Sequence, residues 1–205
     1  MSDRAMDPSE AVTRILSTVR GARDPVAGYA RLIANSSKQA PASLWKRLPD
    51  IDIAGDVAEA VEWLRKELRG RDSATGIYLG LDTLNMDGGR GTNVEIGGSG
   101  KAVPLENGLE WMYGCTWYGE SHLIRGLLEM HGAYSQEKEG LSSFADYVLF
   151  LGYSGLILAS AIEALERPVR AGKKGRLFAW GFHDGDIFPL LRATARKTQR
   201  LATEE

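Results

Sequence analysis

The sequence predicts an α+β domain in which an antiparallel sheet of about four to six strands packs on one long buried helix, with a helical N-terminal segment alongside. Two stretches that alternate apolar and polar residues around glycine-bearing turns supply the sheet, and one apolar run of helical length supplies its support. Within 76–100, Ile77, Leu79 and Leu81 share one face of a pleated strand, and Val94 and Ile96 share one face of the next. Between them, Asp87, Gly88, Gly89, Arg90 and Gly91 offer the positive φ values that a tight reversal needs.

Helix signals come first along the chain. Asp7, Pro8 and Glu10 read as an N-cap, a proline in the first turn and a returning glutamate, so a helix starts here and ends near Gly21. Asp24 and Pro25 repeat that start, with Tyr29, Leu32 and Ile33 as the apolar stripe of a second, shorter helix. Pro41 and Pro49 bracket a short helix around Leu44 and Leu48, and Ile51, Asp52 and Ile53 belong to an irregular connection. Asp56 with Glu59 is a second capping box, and Val57, Ala60, Val61, Leu64 and Leu68 keep helical spacing up to Gly70.

After the hairpin, Leu109, Trp111 and Tyr113 alternate with Glu110 and Met112 as a third strand. Residues 120–131 return to helical spacing through Leu123, Ile124, Leu127 and Leu128, with Gly132 as the stop. Ser143 and Asp146 open the longest helix, which closes near Leu165 ahead of Pro168; Gly152, Gly155 and Ala159 let neighbours approach closely beneath the sheet. Phe178, Trp180 and Phe182 occupy one face of a further strand, Asp184 and Gly185 make a type I′ turn, and the return strand carries Pro189, which belongs at a sheet edge. From Arg192 onward the tail is helical or frayed.

With 205 residues and 43% hydrophobic content the chain fills one core, so 1–205 is read as a single domain. Its parts are a helical segment at 1–70, the sheet with two core helices at 75–191, and a basic tail at 192–205. A formal net charge of -2 gives no reason to expect nucleic acid as a partner. Charge is nevertheless uneven: residues 82–163 hold 11 acidic and 4 basic residues, and 164–205 hold 9 basic and 5 acidic. The basic group at Arg167, Arg170, Lys173, Lys174 and Arg176, with Arg192, Arg196, Lys197 and Arg200, reads as solvated surface. One cysteine, Cys115, permits no internal disulfide and fits the cytoplasm. The N-terminal residues carry no secretory signal, and 147–162 is too short and too rich in glycine and serine to span a membrane.

No motif names a reaction. The run Gly97, Gly98, Ser99, Gly100, Lys101 lacks the first glycine and the hydroxyl residue of a phosphate-binding loop, since Glu95 and Ala102 stand in those places. Cys115 has no histidine at a telling spacing, and three histidines without ligand spacing make a metal site improbable; no cofactor is expected. Two groups stand out. Trp111, Tyr113, Trp117 and Tyr118 form the densest aromatic patch, which reads either as packed core or, with Glu110 and Glu120 beside too few apolar neighbours to bury all four rings, as an anchor-rich binding surface. Asp82, Asp87, His183, Asp184 and Asp186 gather acidic groups at the two turns.

These features favour a non-enzymatic binding module that presents an acidic, aromatic surface to a basic protein, in the manner of small bacterial immunity or antitoxin proteins. A small hydrolase or metal-assisted enzyme drawing on the turn carboxylates, His122 and His183 is the second reading. A structural or self-associating subunit, built on the apolar helix and the edge strand near Pro189, is the third.

Overall fold

A computed structural model describes residues 8–36, 48, 50–86, 89–100, 109–135, 143–183 and 185–201. Its helices are α1 (Pro8–Gly21), α2 (Pro25–Ser36), α3 (Ile53–Leu68), α4 (Arg125–Ser135), α5 (Ser143–Ala164) and the short α6 (Arg167–Ala171). Its strands are β1 (Gly76–Met86), β2 (Gly89–Ser99), β3 (Trp117–Tyr118), β4 (His122–Leu123), β5 (Arg176–Phe182), β6 (Ile187–Ala193) and β7 (Thr198–Arg200). The α+β class holds, with the sheet packed on the long helix. The short helix expected around Leu44 lies almost entirely outside the described residues.

The strands form one sheet in the order β3, β2, β1, β5, β6, β7, with β4 also on β2. Both hairpins are where the alternation placed them: Leu79 faces Ile96 and Leu81 faces Val94 across the first, and Trp180 faces Phe188 across the second. The expectation of a wholly antiparallel sheet is corrected at one place. β1 and β5 run parallel, because each hairpin fixes only its own internal direction and the crossover through α5 brings the second hairpin in alongside the first. Pro189 falls on the part of β6 that β7 does not reach, since β7 pairs only with Leu191, Arg192 and Ala193.

The inner face of the sheet carries Ile77, Leu79, Leu81, Val94, Ile96, Phe178 and Trp180, and α1 to α5 pack against it in one continuous core. Helix α5 is the centre of that core, with every residue from Leu149 to Ala159 buried. Gly152 and Gly155 do what was expected of them: a Cβ on Gly152 would sit 2.7 Å from Leu32, and one on Gly155 would sit 2.9 Å from the Trp180 ring. The Trp180 indole in turn donates to the Leu151 carbonyl at 3.2 Å.

Three further elements differ from expectation. Helix α3 begins three residues before Asp56, because the Asp52 side chain accepts from the Gly55 amide at 2.9 Å and takes the cap. Asp56 is instead buried, accepting from the Tyr153 hydroxyl at 2.6 Å and the Gly126 amide at 2.9 Å, which pins α3 to α5 and α4. The helix read over 120–131 starts only at Arg125, since His122 and Leu123 pair with β2, and it runs past Gly132 to Ser135.

From Arg192 to Leu201, the described part of the tail, the chain is neither helical nor frayed. β6 continues to Ala193 and β7 follows, held by the largely buried guanidinium of Arg200. That group donates to both carboxylate oxygens of Glu163 at 3.0 and 2.6 Å, and to the carbonyls of Val19 and Ala22. Arg176 is also interior, donating to the carbonyls of Ala74, Val169 and Arg71, and burial lowers its pKa. Two members of the supposed solvated basic group are therefore structural.

Tyr153 and Tyr29 provide a test. Replacing a hydrogen-bonded phenol that serves a buried carboxylate costs about 1.5–3 kcal/mol. Tyr153→Phe should lose that amount in a urea titration. Tyr29→Phe, whose hydroxyl is buried without a partner, should leave the midpoint nearly unchanged. Gly126→Ala should be worse than Tyr153→Phe, because its Cβ would lie 2.6 Å from the Tyr153 oxygen and 2.7 Å from the Asp56 carboxylate.

Candidate functional site

The outer face of the sheet has a different composition. Strand alternation turns Gly76, Tyr78, Gly80 and Asp82 of β1 outward, together with Asn93, Glu95 and Gly97 of β2 and Ala179 and Gly181 of β5. A second, smaller apolar cluster of Tyr78, Trp111, Met112, Leu177, Ala179 and Leu201 covers part of this face without drawing on α1 to α5. Glycine leaves room for rings to lie flat on the backbone. Trp111 covers Gly76, while Cys115 and Tyr118 cover Gly97.

The strand expected through Leu109, Trp111 and Tyr113 is a 3-10 helix, Glu110–Gly114. Trp111 and Met112 are both buried, but the segment makes no ladder with a neighbouring strand. The Met112 amide donates to the Leu109 carbonyl at 3.0 Å and the Cys115 amide to the Met112 carbonyl at 3.3 Å, so backbone pairing is local. β3 takes the place beside β2 instead, pairing Tyr118 with Gly97 and Trp117 with Gly98.

This arrangement divides the aromatic patch. Trp111 is buried, with an indole N–H that has no partner. Tyr113 and Tyr118 are 87% and 63% exposed. Trp117 turns to the other face, over Gly98, and its ring lies 3.9 Å from the Arg71 guanidinium. Glu120 is exposed and ion-paired with Lys66 at 2.6 Å, away from the outer face; the Glu110 side chain lies outside the described residues.

The acidic turn group is brought together in part. His183 follows β5 and donates its amide to the Leu81 carbonyl at 2.8 Å, which sets it beside Asp82. Asp186 is exposed in the return, with its carbonyl accepting from Phe182. Asp87 and Asp184 lie outside the described residues. His122 sits across from Val94 and therefore faces the inner side, stacked on Trp63 with ring centroids 5.1 Å apart, whereas His183 faces outward. Among the described residues no group of three His, Cys, Asp or Glu side chains is placed to hold a metal ion.

Two residues that the sequence did not mark as site residues complete the outer cluster. Glu95 accepts from, or pairs with, the Nδ1 of His183 at 3.2 Å, and both side chains are partly exposed. Tyr78 is only 6% exposed and extends over Gly80, where its hydroxyl has no hydrogen-bond partner. Burial pushes the Tyr78 phenol well above its usual pKa, and the charges of Glu95, Cys115, Tyr113 and Tyr118 act in the same direction, so these groups are near neighbours. The Cys115 thiol is likewise raised by burial, which keeps it protonated rather than nucleophilic at neutral pH. The signal for Tyr78 and Glu95 was present in the sequence: they are the outward members of the alternation whose inward members were used.

No protein-family model, curated protein or solved structure matches this chain. The site is therefore read from its own chemistry. Among the described residues, no helix is long and apolar enough to cross a membrane.

Two pH responses follow from the buried rings. Burial lowers the pKa of His122, against the opposing charges of Glu59 and Asp56, so the unfolded chain binds the proton more readily. Its contribution is complete above the unfolded value of about 6.5 and is lost as pH falls. The urea midpoint of wild type should fall relative to that of His122→Phe as pH is lowered from about 7 to about 5. At the other extreme, Tyr29, Tyr78 and Tyr153 are all raised, chiefly by burial, so stability is full below about pH 10 and declines above it. An absorbance titration at alkaline pH should show these three ionising only as the protein unfolds.

Proposed function

We propose that this protein is a non-enzymatic binding module whose outer sheet face docks a basic protein partner, as immunity and antitoxin proteins dock theirs. One observation carries the reading: Tyr113 and Tyr118, two of the most exposed large side chains of the described chain, stand on the same face as Tyr78 and Glu95. Large aromatic side chains left open to water beside a carboxylate are the composition of a contact surface, with apolar anchors and a charged rim. Asp82 and Glu95 on this face add negative charge that favours encounter with a positive surface.

The enzyme reading draws less support. His183 is oriented by Glu95, but His122 occupies the opposite face and the Cys115 thiol is protonated. A cytoplasmic location agrees with a chain of 205 residues carrying one cysteine.

The test is comparative capture from cells of the source. Each interface anchor is worth about 2 kcal/mol, roughly thirtyfold in affinity. A basic protein retained by wild type should be lost by the Tyr113→Ser, Tyr118→Ser double variant and kept by Val26→Ser, which alters an exposed apolar residue on α2. Raising salt should weaken retention. Identical recoveries for wild type and the double variant would reject the outer face as the docking surface.

A further inference from the structure

We infer that the outer face holds a guanidinium subsite, formed by Tyr78, Glu95 and Tyr118, into which the partner inserts an arginine side chain. This inference rests on the docking reading above and specifies its chemistry.

The row of residues at Gly80 is the centre of the subsite. Gly80 pairs with Glu95 on one side and with Gly181 on the other, so the only side chain projecting outward from these three positions is that of Glu95. The Tyr78 hydroxyl reaches into this same row, because Gly80 has no Cβ to exclude it. There it stays without a partner, although Tyr78 is 94% buried by difference from its 6% exposure. A phenol in that setting forgoes a hydrogen bond that its burial makes costly to leave unmade. An occupant that donates to the phenol oxygen removes the deficit.

The neighbours define which donor fits. Glu95 already accepts the contact of one nitrogen group, the His183 Nδ1 at 3.2 Å, and His183 is half-exposed and therefore free to turn aside. Its ring lies 6.4 Å from that of Tyr78. Tyr118 offers an exposed aromatic ring over Gly97, two positions along the same face of β2 from Glu95. A carboxylate, a phenol oxygen and aromatic faces share a preference for a flat, charged group with several N–H donors. Guanidinium meets all three demands: it forks onto carboxylates, donates to a further oxygen and stacks on rings. An ammonium lacks the planar face, and a phosphate is repelled by Glu95 and Asp82.

The probe is N-acetyl-L-arginine methylamide, titrated to tens of millimolar against isotope-labelled protein, with the citrulline analogue as an uncharged isostere. Saturable chemical-shift changes should appear at Tyr78, Glu95 and Tyr118, and citrulline should bind at least fivefold more weakly. Glu95→Gln should weaken the arginine probe at least fivefold. Tyr78→Phe should weaken it two- to fivefold without lowering the thermal midpoint, since the hydroxyl it removes supports nothing in the free fold. No saturable change, equal binding of citrulline, or indifference to Glu95→Gln would overturn the subsite. A silent probe combined with partner loss in the Tyr113, Tyr118 double variant would reject the subsite and keep the docking surface. A responsive probe with unaltered partner capture would keep the subsite and reject the docking reading.

Discussion

A helix that is apolar on all sides has no face to give to water, and α5 imposes that condition on everything around it. The inner face of the sheet covers one side, and α1, α2 and α3 cover the rest. Covering a helix so fully brings backbones close, which is why Gly152 and Gly155 occupy the positions where Leu32 and Trp180 approach. It also buries polar groups, and two of them are matched closely. Asp56 is served by Tyr153 and Gly126, and Arg200 by Glu163 with two carbonyls of the α1 end.

Placing all this mass on one side leaves the other side of the sheet sparsely covered. The outer positions of β1, β2 and β5 are rich in glycine and alanine, so the backbone itself is the floor on which Trp111, Tyr118 and Tyr78 lie. Tyrosine suits this situation because its ring packs on the floor and its hydroxyl meets water or a partner. The contrast between faces is thus a single design: a deep core beneath, and a shallow aromatic layer above.

The parts of the fold that were legible in the sequence are those set by local chemistry. Pro8 and Pro25 started helices, the alternation about residues 87 and 185 made hairpins, and the 143–165 run became the central helix. What was not legible depended on distant partners. Asp56 has the spacing of a cap and serves Tyr153, 97 residues away, because Asp52 reaches the helix start first. Arg200 carries a charge that suggests solvent, yet its carboxylate lies on α5. Trp111 and Tyr113 alternate like a strand, but the edge of β2 was already taken by β3. For the site, Tyr113 and Tyr118 were visible as aromatic residues in a polar neighbourhood. Trp117 was grouped with them because proximity in sequence says nothing about which face of a two-residue strand each side chain takes.

The Arg200 clamp has a consequence for how the molecule is made. Its guanidinium meets carbonyls 181 and 178 residues earlier in the chain, so this fastening of the α1 end is a long-range closure that waits on residue 200. Closing so long a loop costs chain entropy that neither hairpin pays, so the clamp forms after the local elements it ties together.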